Sequence, residues 1–505
     1  GAAPPTREAA ASRRVAAAFD RIAALPRYRR SDWGYQVVDQ ATGRVLVSRN
    51  AQKMFDPGST MKLYSVGTAL RLYGPGHRFR TPVFRQGAVT GGALAGNLVL
   101  VASGDMSLGL REQRNGTLYY ESLPDVDQSY ANIGLGNAVE PPGDPLSGLD
   151  ELAAAVRASG ITRVDGDVVI DDRLFTEYDG FPDGLISSIW VNENLVDVKV
   201  SPGAVGGPAV VDPRPVTASY TVDNQVATVA RGRPTVLQLS EPTPGRILVT
   251  GQIAAGSRPA LRVWEVDHPA AFARTAFIEA LQRAGVTVAA TPTGPNPASL
   301  LPPKGSYGAA DKLGEHVSAP LGEFAKLILK VSYNRGADLM TCLAAARIGS
   351  TDCTDGLGAE LRTATGLGVP PTSFFPFDGA GSDDQGRTTP GALVTLLRGA
   401  ARASYGPALF RALPILGRDG TLANVLPRSP AAGHAQVKTG NRVVGTPAGQ
   451  GIVLGNSLAG YVQTRSGRRV VLAVVVGNVP IASPQQFALV TDDQAEMVAE
   501  VQQGF

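Results

Sequence analysis

The sequence predicts a mixed α/β (α+β) domain that is interrupted by a large strand-rich insertion. The chain has 505 residues, which is too long for one ordinary hydrophobic core. A hairpin pattern stands near the start and further strand patterns near the end, with helical patterns between them. Between about Thr81 and Pro303, short alternating strands with Gly and Pro turns replace these patterns.

The N-terminal part predicts a helix, a hairpin and a second helix. Apolar residues recur at helical spacing over Thr6–Leu25, and two strand-like runs follow at Trp33–Asp39 and Arg44–Ser48. A Pro-Gly break at 57–58 then precedes a helical pattern over Ser59–Tyr73. Together with residues 304–505, we expect residues 1–80 to form one discontinuous domain.

The insertion, residues 81–303, is expected to comprise two nested domains, about 81–105 with 198–303, and 106–197. The stretch Gly109–Leu146 has no clear period and is interpreted as a long loop. The other patterns predict strands at Asn97–Val101, Arg163–Ile170 and Val226–Ala230, and helices at Leu149–Ala158 and Phe272–Ala284.

After Pro303 the chain returns to helical patterns and finishes with strands and a helix. Arg442–Asn456 is interpreted as a Gly-rich loop. The predicted helices are Leu321–Val331, Gly336–Ala346, Pro390–Ala400 and Asp492–Gln503, and the predicted strands are Gly433–Lys438, Ser457–Gln463 and Arg469–Gly477.

Composition excludes several classes of function. The net charge is +3, and no dense Lys/Arg run interleaves with aromatic residues, so a nucleic-acid footprint is absent. The longest apolar runs fall far short of the roughly 20 residues that a membrane helix needs. No signal-peptide pattern opens the sequence.

The two cysteines, Cys342 and Cys353, fit either a local disulfide or two buried thiols.

The first chemical motif is Ser59-Thr60-Met61-Lys62. Its hydroxyl and its amine stand three residues apart at a helix start, so they share one face of the helix. A buried Lys62 beside a second cation could lose its proton and act as the base for Ser59. Alone, the spacing equally describes a capping serine and a solvated lysine.

Two further motifs, Ser332-Tyr333-Asn334 and Lys438-Thr439-Gly440, follow in the order that penicillin-binding proteins and β-lactamases share. Ser332 could relay a proton and Asn334 could bind a substrate amide. Lys438 would supply positive potential beside a terminal carboxylate, to which Thr439 would donate a hydrogen bond.

The strand that carries the third motif could also pair with an extended peptide substrate. Gly440 leaves room for that substrate. The backbone N–H groups of Ser59 and Asn441 are the expected donors to the developing oxyanion. Ser332, Asn334 and Lys438 could each have a purely structural role, as a turn serine, a helix-capping asparagine and a strand-end lysine. The occurrence of all three motifs in this order favours catalysis.

On these motifs the chain resembles the class C low-molecular-mass penicillin-binding proteins, the D-alanyl-D-alanine carboxypeptidase/endopeptidase family. The long gap from Ser59 to Ser332 fits class C, and the runs Gly104-Asp105, Phe377–Gly381 and Asp419–Leu422 are similar to the family's. The resemblance implies a penicillin-recognising, β-lactamase-like domain, with an antiparallel sheet and helices on both sides. Three positions depart from the family's usual residues: Tyr333, Ala380 and Asn441.

The resemblance implies a serine-type D-Ala-D-Ala carboxypeptidase that acts on peptidoglycan stem peptides and is acylated by β-lactams at Ser59. It implies no metal or organic cofactor and an exported, periplasmic or extracytoplasmic location. Endopeptidase activity, membrane attachment, oligomeric state and the role of the insertion stay open. So do three alternatives: a β-lactamase-like hydrolase, a D-amino-acid esterase or amidase, and a penicillin sensor that deacylates slowly.

Other chemistries have weaker support. A Ser/His/Asp hydrolase would need a Gly-x-Ser-x-Gly elbow, and the nearest run, Gly455–Ala459, better fits a core strand. His434 is interpreted as a surface strand residue. The pairs Asp171-Asp172 and Asp383-Asp384 have no His or Cys at metal-ligand spacing, and we expect them to cap turns.

Overall fold

The computed structural model describes residue 3 and residues 6–122, 126–133 and 137–505. Six residues of the predicted loop Gly109–Leu146, 123–125 and 134–136, lie outside the described residues. No helix in the described part of the chain combines the length and the apolar character needed to cross a membrane.

The described helices occupy both ends of the chain and two places in its middle. They are α1 (Arg7–Ala23), α2 (Lys62–Tyr73), α3 (Ser147–Ala158), α4 (Pro269–Arg283), α5 (Leu321–Val331), α6 (Asn334–Arg347), α7 (Asp355–Gly366), α8 (Pro390–Arg402), α9 (Gly406–Ala412) and α10 (Pro484–Gly504).

The strands vary from two to thirteen residues in length. They are β1 (Asp32–Asp39), β2 (Val45–Arg49), β3 (Arg78–Thr90), β4 (Ala93–Val101), β5 (Val126–Asp127), β6 (Ala138–Val139), β7 (Arg163–Val164), β8 (Val168–Asp171), β9 (Leu195–Ser201), β10 (Val210–Arg214), β11 (Thr221–Val229), β12 (Val236–Thr243), β13 (Arg246–Ala254), β14 (Ala260–Glu265), β15 (Thr287–Val288), β16 (Lys312–Pro320), β17 (Phe374–Phe375), β18 (Arg387–Thr388), β19 (Ala435–Gly445), β20 (Gly451–Gln463) and β21 (Arg469–Ile481).

The chain divides into two compact units. Unit 1 comprises residues 1–77, 179–184 and 321–505, and unit 2 comprises 78–178 and 185–320. Residues 304–320, which the sequence prediction assigned to the discontinuous domain, lie in unit 2 because β16 pairs with β3 there. The division of the insertion into two nested domains stays a prediction.

Unit 1 is built on a five-stranded antiparallel sheet in the order β19-β20-β21-β1-β2. Alternate residues of β21 face opposite sides, and Leu472 and Val474 share a core with α1 and α10. On the other side, α8 packs against β21 and β1, and Tyr461 Oη donates to Leu397 O of α8. The sheet therefore has helices on both faces, as expected.

The described part of unit 2 contains four sheets. The largest has six strands, in the order β15-β7-β4-β3-β16 with β8 also paired to β4; the others are β10-β9-β14, β11-β13-β12 and the two-stranded β5-β6. Helices α3 and α4 contribute apolar residues, among them Leu152 and Phe277, to one buried core with these strands. This strand-rich texture is what the Gly and Pro spacing predicted.

The predicted loop Arg442–Asn456 is wrong, because β19 extends to Gly445 and β20 begins at Gly451. The glycines in this stretch belong to a ladder rather than to a loop. A Cβ at Gly455 would lie 1.8 Å from the carbonyl oxygen of Asp56, so glycine is needed there for a close backbone approach. Helices α7 and α9 were not predicted.

A disulfide joins Cys342 of α6 to Cys353, two residues before α7. The bond closes a short local loop, with a sequence separation of 11 residues. It resolves the two alternatives that the sequence left open in favour of the disulfide.

Unit 2 also buries an ion triad. Arg111 donates two parallel hydrogen bonds to Asp127 and a third, of 2.6 Å, to Glu193. None of the three side chains is more than 2% exposed. The guanidinium balances both carboxylates. Desolvation alone would raise the pKa of Asp127, but the charge of Arg111 outweighs it and keeps that pKa below the ordinary value.

Replacing Arg111→Met should destabilise unit 2 by about 3–5 kcal/mol, because two buried carboxylates lose the guanidinium that balances their charge. Urea unfolding followed by tryptophan fluorescence measures this, since Trp190 and Trp264 lie in unit 2 and Trp33 lies in unit 1. The exposed Arg114→Met is the matched control, expected within about 0.5 kcal/mol of wild type. A cost below 1 kcal/mol for Arg111→Met would contradict the assignment.

Candidate active site

Ser59 lies in a tight 3-10 turn, Gly58–Met61, that leads directly into α2. The side chain of Lys62, the first residue of α2, is completely buried, whereas Ser59 is partly exposed. The spacing of three residues brings Ser59 Oγ within 2.7 Å of Lys62 Nζ. The structure thus brings the first predicted pair into hydrogen-bond contact.

The turn is held from outside by β20. The hydroxyl of Ser457 donates a 2.6 Å hydrogen bond to the carbonyl oxygen of Pro57 and lies 3.0 Å from Thr60 Oγ1. Thr60 Oγ1 itself donates to the same carbonyl. The run Gly455–Ala459 is therefore a buried strand segment, as expected, and its serine anchors the turn that carries Ser59.

Two glycines allow β19 to approach this turn closely. A Cβ at Gly440 would lie 2.3 Å from Pro57 O, and one at Gly58 would lie 2.5 Å from the backbone nitrogen of Asn441. Gly58 also has φ of +58°, a conformation that side-chain-bearing residues seldom adopt. The backbone of Asn441 consequently lies beside the residue that precedes Ser59.

Lys62 Nζ has four oxygen neighbours within hydrogen-bond distance. They are Ser59 Oγ, Ser332 Oγ at 3.1 Å, Asn334 Oδ1 at 2.6 Å and the carbonyl oxygen of Ala380 at 3.0 Å. An ammonium offers three N–H donors and a neutral amine offers two donors and one acceptor, so either form has three hydrogen-bonding positions for the four oxygens. The neutral amine could donate to Asn334 and Ala380 and accept from Ser59. The geometry accommodates the neutral base.

Electrostatics also favour a partly neutral Lys62 amine. Burial lowers the pKa of Lys62 to about 8, against the opposing charges of Asp183, Asp338 and Asp378. A pKa near 8 leaves about a tenth of the lysine neutral at pH 7 and about half at pH 8. Lys62 can therefore take a proton from Ser59 without a metal or an external base.

Ser332 lies between the two lysines. Its Oγ is 3.1 Å from Lys62 Nζ and 3.0 Å from Lys438 Nζ, and its backbone has φ of +60°. A non-glycine residue in this conformation costs of order 1–3 kcal/mol, and such strain recurs where a side chain must be aimed. Here it aims the hydroxyl at both amines.

Lys438 is fully buried on β19. Burial, and then the charge of Lys62, hold the pKa of Lys438 well below its ordinary value. Its Nζ also donates to Thr439 O, and Thr439 Oγ1 lies 2.8 Å from Thr421 Oγ1. Thr421 belongs to the run Asp419–Leu422, so the structure gives that sequence resemblance a place beside the third motif.

Asn334 begins α6 and is oriented from two sides. Its Oδ1 faces Lys62 Nζ, and its Nδ2 donates a 3.0 Å hydrogen bond to Asp183 Oδ1. Asp183 belongs to the short segment 179–184 that joins unit 1 although it is embedded in the insertion sequence. Sequence reasoning did not identify Asp183, and no motif surrounds it.

Two further carboxylates shape the backbone beside Lys62. Asp338 Oδ1 accepts hydrogen bonds from the N–H groups of Gly379 and Ala380, and Asp378 accepts three from residues 381–383. Burial raises the pKa of both carboxyl groups, that of Asp338 well above its ordinary value. They fix the Ala380 carbonyl that faces Lys62.

All predicted site residues therefore lie in unit 1, in the Ser59 turn and the start of α2, at the α5–α6 junction and on β19. Lys62, Ser332, Asn334 and Lys438 form one connected network with Ser59, whereas Asn441 is exposed and follows Gly440 on β19. Their catalytic roles remain predictions. His434 is exposed, immediately before β19.

Comparisons with known proteins agree with this geometry. The sequence matches the D-Ala-D-Ala carboxypeptidase 3 (S13) family over residues 15–498. It is 29% identical over 432 residues to a D-alanyl-D-alanine carboxypeptidase of Actinomadura sp. (strain R39), covering 81% of this chain and 72% of that protein.

Solved structures share the fold. Penicillin binding protein 4 of Haemophilus influenzae superimposes with a TM-score of 0.70 at 18% identity, over 96% of this chain and 99% of the other. A structure of the same protein complexed with a β-lactam gives 0.67 at 19% identity, with the same coverage. The likeness confirms the expected penicillin-recognising fold.

The depressed pKa of Lys62 can be measured directly. In protein carrying lysine labelled with 13C at the ε carbon, one resonance should titrate with a midpoint near pH 8, because burial disfavours the ammonium. The Lys62→Met variant identifies that resonance by its loss. A Lys62 midpoint above pH 10 would show that the amine is an ordinary ammonium, which could not accept a proton from Ser59 at neutral pH.

Proposed function

The chain belongs to the D-Ala-D-Ala carboxypeptidase 3 (S13) family of serine peptidases, and we propose that it cleaves the terminal D-alanine of peptidoglycan stem peptides through an acyl-enzyme on Ser59. The observation that carries this proposal is the contact of Ser59 Oγ with the buried Lys62 amine, whose pKa burial lowers to about 8. The class C resemblance stated from the sequence is confirmed by the family match.

In acylation, Ser59 Oγ attacks the carbonyl carbon of the penultimate D-alanine while its proton passes to Lys62 Nζ. Negative charge then develops on the carbonyl oxygen, for which the backbone N–H groups of Ser59 and Asn441 are the proposed donors. The close approach of Asn441 N to Gly58 supports this pairing.

The leaving amine needs a proton when the peptide bond breaks. Ser332 can supply it, because its hydroxyl contacts Lys62, which has just gained a proton, and can be re-protonated from that lysine. D-alanine departs and leaves an ester on Ser59. Water then attacks the ester, with the same groups acting in reverse, and releases the shortened peptide.

The third motif is the proposed subsite for the substrate's terminal carboxylate. Lys438 would contribute positive potential once the bound carboxylate favours its ammonium form against the burial that lowers its pKa. The Thr421 and Thr439 hydroxyls lie next to each other, where they can donate to an anion. Asn334 would donate its remaining N–H to a substrate carbonyl. Binding of the terminal carboxylate at these groups would distinguish a carboxypeptidase from an esterase or amidase on the same scaffold.

β-Lactams are proposed to acylate the same serine. The complex of Haemophilus influenzae penicillin binding protein 4 with a β-lactam supports this for a protein of the same fold. Because peptidoglycan lies outside the cytoplasm, we also propose an extracytoplasmic location for the enzyme. This proposal rests on the proposed substrate alone. The proposed reaction takes its nucleophile, base and relay from the chain itself.

Incubation with benzylpenicillin should give an adduct of one penicillin per chain, because the opened ring stays attached as an ester. Intact-mass spectrometry measures it, and peptide mapping should place it on Ser59. Ser59→Ala should form no adduct, whereas Ser466→Ala, in the exposed turn after β20, should react like wild type. No adduct with intact penicillin would contradict the proposal, and no adduct with consumed penicillin would favour the β-lactamase alternative.

The pH dependence of kcat/KM on a D-Ala-D-Ala peptide should show an acid limb with a midpoint near pH 8. Activity rises with pH because the neutral form of Lys62 is the base. In Asp183→Asn this midpoint should move to lower pH, since the foremost charge that stabilises the Lys62 ammonium is removed.

The midpoint, rather than the maximal rate, is the readout, because Asp183 also contacts Asn334. Asp352→Asn, an exposed carboxylate near the disulfide, should leave the midpoint unchanged. A midpoint that stays in place or moves to higher pH in Asp183→Asn would contradict the role of Lys62 as the base.

A further inference from the structure

Unit 2 contains a cluster of three acidic side chains around one buried histidine. Asp105 follows β4, Glu112 lies seven positions further along the chain, Glu151 belongs to α3 and His316 belongs to β16. The His316 side chain is 5% exposed and that of Asp105 is 1% exposed. The proposed reaction at Ser59 uses none of these residues.

The imidazole of His316 is oriented by Glu151. Its Nδ1 lies 2.5 Å from Glu151 Oε2, while Nε2 points to the other side, 2.8 Å from Glu112 Oε1. A carboxylate on one ring nitrogen typically fixes the tautomer and the direction of the other, and this is the usual arrangement around a metal-bound histidine. His316 thus presents Nε2 to the pair Asp105 and Glu112.

Asp105 supplies an independent sign of a ligand. Its Oδ1 accepts three hydrogen bonds, from Ser107 N, Ser107 Oγ and Leu108 N, so the carboxylate is fixed in place. Its Oδ2 is buried and receives no hydrogen bond from any residue in the described ranges. That oxygen lies 3.9 Å from His316 Nε2, too far for a hydrogen bond, and a buried unpaired carboxylate oxygen is costly.

We propose that Asp105 Oδ2, Glu112 Oε1 and His316 Nε2 bind a divalent transition-metal ion of the Zn²⁺ type, with Glu151 orienting the histidine. Asp105, Glu112 and His316 each offer one ligand atom within 4.8 Å of the other two, and His316 Nε2 lies 3.9 Å from Asp105 Oδ2 and 2.8 Å from Glu112 Oε1. Zn²⁺ at about 2.0–2.2 Å from its ligands places them roughly 3.3 Å apart. Asp105 Oδ2 would move inward by rotation about the hydrogen-bonded Oδ1, and Glu112 Oε1 would move outward, each by about half an ångström.

The donor set selects the metal. One imidazole with two carboxylates suits Zn²⁺, whereas Ca²⁺ and Mg²⁺ prefer oxygen donors alone. Glu112 is partly exposed, with 24% of its side chain accessible, so water can reach the fourth coordination position. When the ion binds, the proton between Nε2 and Glu112 leaves to solvent.

A protonated imidazole held between Glu112 and Glu151 is the simpler alternative. It satisfies both ring nitrogens, but it leaves Asp105 Oδ2 without a donor among the described residues. A metal ion accounts for that oxygen as well. The ion would join the segment 105–112 to β16, so its role is to stabilise unit 2.

The test uses the full, untagged chain after treatment with a chelator and dialysis. Isothermal titration with Zn²⁺ should show one site, and Co²⁺ in its place should give the visible absorption of a four-coordinate complex. Asp105→Asn and Glu112→Gln should weaken Zn²⁺ binding at least tenfold, and Glu151→Gln by about 10–100-fold through loss of the orienting bond.

Two controls separate this site from surface binding. Glu315→Gln changes the carboxylate next to His316 on the same strand, and His434→Ala removes an exposed histidine; both should bind Zn²⁺ like wild type. Equal affinity in wild type and Asp105→Asn, or no stoichiometric site at all, would overturn the proposal. Urea unfolding followed by the fluorescence of Trp190 and Trp264, which lie in unit 2 with Asp105, shows whether the Asp105→Asn variant is folded.

Discussion

The burial of the Lys62 amine is the constraint on which the rest of the site depends. Removing a lysine from water costs several kcal/mol unless its polar atoms find partners. Four oxygens, from three different segments of unit 1, surround the nitrogen. Each must be held rigidly, which accounts for the strained Ser332, the Asp338 bonds that fix Ala380, and the Ser457 bond that fixes the Ser59 turn.

The sequence could predict the fold class and the main residues of the candidate site because both leave local patterns. Hydrophobic periodicity located α1, α2, α5, α8 and the hairpin β1–β2, and three short motifs in the right order located Ser59, Ser332 and Lys438. A catalytic motif is readable because its residues must lie on one turn or one strand end. Because the residues of each motif are close in sequence, the motif can be recognised in a single sequence.

What the sequence could not predict depends on contacts between distant segments. Asp183 reaches Asn334 across 151 residues, and nothing around it differs from an ordinary Gly/Pro turn. The glycines of Arg442–Asn456 were interpreted as a loop, although at Gly455 the glycine serves the close approach of Asp56. The Asp105 cluster likewise joins residues separated by up to 211 positions, too far apart for any ligand-spacing rule.

Asn334 shows how such distant contacts refine a motif residue. An amide has an oxygen that only accepts and a nitrogen that only donates. Lys62 can donate to the oxygen, and the Asp183 carboxylate can accept from the nitrogen, so the two partners together permit one amide orientation. One N–H of Asn334 is then left, with its direction set before any substrate arrives. An aspartate at this position would place a second acceptor against Asp183, so asparagine is required by its neighbours as well as by the substrate proposed for it.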